Sequence, residues 1–210
     1  MNLPRIRDIY DKRASTYDAS VGRGERLVLG DLRQRFGAEL RGETLEVAVG
    51  TGLNLPYYTD AVTRAVAVDL SHGMMTIARE RARALGRQVA FAQMDAQRLA
   101  FPDATFDSVA ISLALCTVPD PVAALRELAR VCRPDGRVVL LEHVLSPVPP
   151  VAWLERLLSP VQERFIGCHL NRRTIETARS MGFAIESERR RLAGVFRLVV
   201  ARPPDRIGPM

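Results

Sequence analysis

The sequence predicts an α/β fold in a single domain of 210 residues: a mostly parallel seven-stranded sheet with one antiparallel terminal strand and helices on both faces. Three observations predict it. Short, nearly continuous apolar runs alternate with helical stripes, the pattern of parallel strands covered on both faces. A glycine turn, Gly50-Thr51-Gly52, stands where the first run hands over to the next element. The last two runs are joined across Ala193-Gly194, as a hairpin requires, so one terminal strand must run against the rest.

In chain order, Leu3, Ile6, Ile9, Tyr10 and Tyr17 form one side of a helix over 3–17, followed by a helical pattern at 22–37. Strands are expected at 44–49, 64–69, 88–92, 106–112 and 137–144. Helices fall at 71–85, with Ser71 as N-cap, and at 120–132, with Asp120 before Pro121 in the first turn. Residues 145–171 break the alternation. They carry Pro147, Pro149, Pro150 and Pro160 and an apolar stripe at Trp153, Leu154, Leu157, Leu158 and Val161, and are expected to be a lid or substrate-binding insertion. A helix near 172–181, stopped by Gly182, leads into the hairpin strands 183–191 and 195–202.

Apolar residues make up 47% and charged residues 26%, which excludes wholesale disorder, collagen-like and coiled-coil readings. Of the 30 basic residues only Lys12 is lysine. Arginine is this prevalent in every part of the chain, so the net charge of +6 reads mainly as a compositional bias. Its distribution says more: residues 1–45 carry +2, residues 46–150 carry −1 and residues 151–210 carry +5, beside the apolar stripe. Arginines next to apolar surface suit anionic headgroups; the competing reading is a folded-down lid with solvated arginines. Aromatics at 6%, without interleaved stacking residues in the basic region, argue against nucleic acid. Cys116, Cys132 and Cys168 are too far apart for a zinc or redox motif, so no metal is expected. The amino terminus does not read as a signal peptide and no segment reads as a spanning helix. A cytoplasmic protein, peripheral on the inner face of a membrane, is the expectation.

The string Glu46-Val47-Ala48-Val49-Gly50-Thr51-Gly52-Leu53-Asn54 lets backbone approach a ligand, but Leu55 replaces the third glycine of a dinucleotide fingerprint, and no phosphate-loop lysine follows. Asp69 ends the second strand, placed to accept bonds from ribose hydroxyls, and Asp95 follows the third. Turns at the carboxyl edge of adjacent parallel strands share one crevice, and a nucleoside without a phosphate suits it. Singly, Glu46, Asp69, Asp95 and Met74 read equally as capping, turn or core residues; their joint order favours the crevice.

These residues resemble the class I S-adenosylmethionine-dependent methyltransferases. The likeness covers roughly residues 5–202. It is carried by Leu45–Gly52, by Val68-Asp69-Leu70-Ser71-His72-Gly73-Met74, by Met94-Asp95-Ala96, by Phe101-Pro102-Asp103 with Phe106-Asp107, and by Leu128–Gly136. It departs at Ala48 and Asp135, where the family more often has glycine. The resemblance implies a Rossmann-like domain that binds S-adenosylmethionine. In it Gly50 and Gly52 let backbone pass the methionine part, Glu46 orients the turn or the amino group, and Asn54 belongs to the same turn. Asp69 with Leu70 takes the ribose, Met74 packs on adenine, Asp95 and the Ala96 amide read the adenine edge, and Leu113 faces the sulfonium. Tyr10 to Asp18, with Tyr10 and Tyr17, resembles the segment that covers the cofactor in quinone-synthesis methyltransferases, within an amino-terminal region of residues 1–20.

Within the family, Gly50–Pro56, Leu141-Glu142-His143-Val144 and Gly167-Cys168-His169-Leu170-Asn171-Arg172 resemble bacterial phosphatidylethanolamine N-methyltransferases and related thiol methyltransferases. That implies a phospholipid amine acceptor; the other readings are a small apolar thiol, hydroxyl or carbon acceptor, and a non-catalytic nucleoside-binding module. A primary amine must lose a proton, and His143 at the end of the fifth strand or Tyr17 is the expected base. His143 reads equally as a structural histidine.

Overall fold

Helix α1 (Leu3–Leu29) and helix α2 (Leu32–Glu39) precede the first strand in the computed structural model, which describes residues 2–204. The pattern at 22–37 is thus split: α1 absorbs its first half and ends at Gly30, whose φ of +56° turns the chain before α2. Strand β1 (Gly42–Val47) pairs in parallel with β2 (Val62–Asp69), which leads into α3 (His72–Ala84). Ser71 caps α3 as expected, its hydroxyl accepting the Met74 N–H at 3.1 Å. Next come β3 (Val89–Gln93), β4 (Phe106–Ser112) and α4 (Pro121–Val131), where the Asp120 side chain accepts from the Val122 and Ala123 N–H groups.

Strand β5 (Cys132–His143) starts five residues before the expected boundary, because α4 passes straight into an extended segment that pairs Cys132 with Phe106. Residues 149–166, within the expected lid, form the 18-residue helix α5 (Pro149–Ile166). Helix α6 (Thr174–Ser180) and the hairpin β6 (Ala184–Arg191) and β7 (Phe196–Arg202) complete the chain. The seven strands lie in the order β3-β2-β1-β4-β5-β7-β6, and β7 alone runs against the direction of the other six.

Both faces of the sheet are covered. Leu45, Val109, Ile111, Val138 and Leu140 pack with Leu125, Leu128 and Ile175 on one side, while Val139 and Leu141 pack with Phe36 and Leu40 on the other. Each such side chain contributes about 1.5–3 kcal/mol by leaving water. With the strand interiors given to hydrocarbon, the polar groups collect at the strand ends, and those of β1, β2 and β4 meet at the carboxyl edge.

Candidate active site

A cleft opens at that edge, its empty space about 910 Å³ with the solvent at its mouth included, and Leu3, Ile6, Arg7, Tyr10 and Tyr17 of α1 form one wall. Gly50, Asp69, Leu70, Met74, Asp95, Ala96 and Leu113 all line it, so the structure brings these expected residues together with Tyr10 and Tyr17. Gly50 has φ +58°, and a Cβ built there meets no atom within 4 Å, because it would project into open space. Its N–H donates to Asp69 Oδ2 at 2.8 Å, and the Ser71 N–H donates to Oδ1 at 2.8 Å. Burial pushes the Asp69 carboxyl up to about 6 although these two N–H groups pull it down. Ala48 and Leu113, which also line the cleft, hold φ of +55° and +52° without being glycine. Such strain costs on the order of 1–3 kcal/mol per residue and gathers where function over-determines the backbone. The departure at Ala48 therefore leaves the turn in its left-handed conformation.

Three expected residues sit behind the wall. Glu46 is 0% exposed and accepts from Asn54 Nδ2 at 2.6 Å and from the Tyr58 hydroxyl. The Asn54 amide also reaches Ser112 Oγ at 2.7 Å, and Arg33 donates to its Oδ1 at 2.6 Å. This buried network ties the glycine turn to β4 and α2. Gly52 is buried, and a Cβ there would come within 2.8 Å of Leu55 and 3.3 Å of Ala78. Its missing side chain serves packing rather than ligand approach.

Helix α1 is latched by two carboxylates, seven residues apart and so on one face, that the sequence reading did not single out. Asp11 Oδ1 accepts from Ser71 Oγ at 2.5 Å and the Gly73 N–H at 2.9 Å. Asp18 Oδ1 accepts from Thr51 Oγ1 at 2.6 Å, and its other oxygen pairs with Arg81. The signal was present: Asp11 and Asp18 repeat the spacing of Tyr10 and Tyr17. Burial raises both phenols, Tyr17 to about 12.

The opposite lip, from Leu113 to Pro119, is pinned from beneath. Glu142, fully buried, accepts the N–H groups of Ala114 and Leu115 through Oε1 at 3.1 and 3.2 Å, and burial pushes it up to about 8. The His169 N–H donates to the Cys116 carbonyl at 2.9 Å, and Arg172 donates to the carbonyls of Leu115 and, at 2.7 Å, Val118. The motif Gly167–Arg172 is thus a clamp on the lip.

His143 lies outside the cleft wall. Along β5 successive side chains alternate, so Glu142 goes under the lip while His143 turns to the other face. There its ring packs edge-on against Phe196 at 5.5 Å, with Nε2 3.5 Å from Glu155 Oε1, and burial lowers its pKa. No described residue of 145–171 lines the cleft either: α5 buries Ala152, Glu155 and Ser159 and turns its apolar stripe to solvent.

A cleft with a bare glycine turn, a half-buried carboxylate at the β2 end, an apolar Met74 face and Asp95 beyond it fits a nucleoside joined to an amino-acid-like tail. Among the described residues no group of three metal-ligating side chains occurs. Residues 45–140 match the family model described as a methyltransferase domain. A phosphatidylethanolamine N-methyltransferase of Cereibacter sphaeroides is 40% identical over 148 residues, covering 68% of this chain and 70% of that protein. The chain belongs to the class I S-adenosylmethionine-dependent methyltransferases. A demethylmenaquinone methyltransferase of Clavibacter sepedonicus is 35% identical over 151 residues, covering 69% of this methyltransferase and 60% of that protein, so less than two thirds of the quinone enzyme is spanned. A geranyl diphosphate methyltransferase solved in complex with S-adenosylmethionine shares the fold, with a TM-score of 0.66 at 17% identity over 82% of this chain and 83% of that one. The enzyme uses S-adenosylmethionine as its methyl donor.

Proposed function

We propose that the enzyme methylates the amine of phosphatidylethanolamine or of its partly methylated derivatives at a membrane surface. The observation that carries this reading is the outer face of α5. Trp153, Leu154, Leu157, Leu158, Val161 and Phe165 are all exposed, with Arg156 and Arg164 among them. The hairpin turn packs against the start of this helix, through Ser146 Oγ to the Ala193 carbonyl at 2.6 Å, and adds exposed Leu192 to the same end. An apolar stripe with arginines at its margin is suited to the boundary between headgroups and acyl chains. The name of the 40% identical relative supplies the amine.

In this reading the Gly50 turn carries the methionine part, Asp69 and Leu70 the ribose, and Met74, Asp95 and Ala96 the adenine. Glu46, Asn54 and Gly52 act by holding the turn. The bound cofactor supplies an electrophilic methyl on a sulfonium. The wall formed by Leu113 and the α1 tyrosines aligns the amine lone pair for in-line attack and excludes water. A new N–C bond forms as the C–S bond breaks, and the surplus amine proton leaves to solvent. Tyr17, kept neutral by burial, orients the amine as a hydrogen-bonding phenol rather than as a base. His143, behind the wall, lies beside Glu155 of α5, 3.5 Å from its Oε1.

The test is incubation with methyl-labelled S-adenosylmethionine and vesicles containing phosphatidylethanolamine and phosphatidylglycerol, with vesicles of demethylmenaquinone in a parallel arm. Label in monomethyl phosphatidylethanolamine is expected. Label only in the quinone overturns the amine reading.

A further inference from the structure

A second concavity, at the other end of the strands, is carried neither by the methyl-transfer site nor by α5. It encloses about 1020 Å³ of empty space open to solvent, beside the amino-terminal ends of β2 and β3 and the last turns of α3. Four arginines, Arg64, Arg79, Arg83 and Arg87, line it, and no carboxylate does. Its remaining surface is largely hydrocarbon, from Ala82 and Phe91 among others.

On the same helix, Arg81 is satisfied by an acid, pairing with Asp18. In this concavity, among the described residues, Arg79, Arg83 and Arg87 have no ion pair, and Arg64 has one loose contact, 3.7 Å from Glu43. Arg79 and Arg83 are four apart on α3, a like-charge spacing that disfavours the helix unless an anion offsets it. The helix dipole accounts for a cation in the last turn, and so for Arg83, but not for Arg79 or Arg64. Two of the guanidinium groups are also held in place. Arg79 sits 5.5 Å from the Phe91 ring centroid, and Arg87 sits 5.9 Å from that of Tyr58 while donating to the Tyr58 carbonyl. Two guanidinium groups held in place, with two more at the same apolar floor, suit an oxyanion joined to a hydrophobic body.

We infer that this concavity is a second ligand site, distinct from the methyl-transfer cleft, that binds a phosphate group attached to an apolar body. Because it lies at the opposite strand ends, it is filled independently of the cofactor. The shared chemistry belongs equally to a free aryl or alkyl phosphate and to an anionic lipid headgroup, and the two are separated by the probe.

Fluorescence titration of the full chain with 1-naphthyl phosphate forms one arm, with 1-naphthol as the uncharged control, and flotation with phosphatidylglycerol vesicles, in a Trp153→Ser/Leu157→Ser/Phe165→Ser background that removes the α5 face, forms the other. Saturable binding in either arm that weakens at least tenfold in the Arg79→Ala/Arg83→Ala double variant is expected, and the arm in which it appears identifies the source. Neither arginine lines the cleft, so the variant should keep S-adenosylhomocysteine affinity within twofold, which also reports that it is folded. Absence of saturable binding in both arms overturns the site. So does binding that the double variant retains, or naphthyl phosphate displaced by S-adenosylhomocysteine.

Discussion

The glycine-turn edge and helix α5 distribute polarity in opposite ways. At the edge, carboxylates such as Glu46 and Asp69 are drawn inward and their oxygens are met by N–H and O–H groups, while apolar side chains fill the sheet behind them. In α5 the polar side chains Glu155 and Ser159 are buried against the body and the large apolar ones face out. Glu155 accepts the Ser146 N–H at 2.8 Å, and Ser159 Oγ accepts the Leu170 N–H at 3.2 Å, so the inverted helix is docked by hydrogen bonds rather than by its hydrocarbon. The edge is built to hold a small ligand, whereas α5 leaves its hydrophobic surface exposed among the described residues.

The largest effect expected to sharpen this contrast is at Asp69. Replacement by Ala leaves two cleft-lining N–H groups unmet and removes a charged acceptor, each bond being worth about 1.5–3 kcal/mol. Calorimetry should show S-adenosylmethionine affinity falling about 1000-fold with little change in vesicle binding. Because the ionised carboxylate is the stronger acceptor, wild-type affinity should also fall as the pH drops through about 6. A complementary result is expected when Trp153, Leu157 and Phe165 are changed together to Ser. At 65%, 58% and 68% exposure they contribute little to the fold, so vesicle flotation should weaken about 100-fold while cofactor affinity holds. A variant that loses both functions together would abolish the distinction.

Glu142 lies where the two regions join, and its effect should be intermediate. Glu142→Leu strands the Ala114 and Leu115 N–H groups and should lower kcat about tenfold, whereas Glu142→Gln keeps the acceptor and should retain most of it. Its value of about 8 lies above the usual 4.5, so its contribution to stability is complete below pH 4.5 and is lost as pH rises through 8. Glu142→Gln, neutral throughout, should therefore melt about a few degrees above wild type at pH 9 and show a flatter Tm profile. The smallest effect is assigned to His143. Its ring is outside the cleft, so His143→Ala should change kcat by less than about threefold at any pH, a tenfold step being the signature of a base.

The cofactor edge was legible in the sequence because each of its parts is local. A glycine turn, an acid at a strand end and a cap at a helix start announce themselves within a few residues, as Gly50, Asp69 and Ser71 do. Contacts made across the fold were not. Nothing near Asp11 marks Ser71 and Gly73 as its partners 60 and 62 residues on, and nothing near Glu142 marks the lip that it supports 27 and 28 residues back. The α5 stripe was found, but its direction was not, because periodicity gives a helix an apolar face without saying what lies opposite it. His143 was placed at the right strand end and on the wrong side, since one residue of register decides which face a strand residue serves.

The two carboxylate latches of α1 also bear on timing. Their partners, Ser71, Gly73, Thr51 and Arg81, sit on the glycine turn and on α3 with the residue that caps it, while Tyr10 and Tyr17 lie over the cleft between them. A helix held on both sides of the cleft opposes the exit of a spent cofactor beneath it. The dwell time of the product is therefore expected to depend on how readily an amino-terminal helix lifts from its neighbours, and Asp11→Ala or Asp18→Ala to shorten it without touching the methyl group.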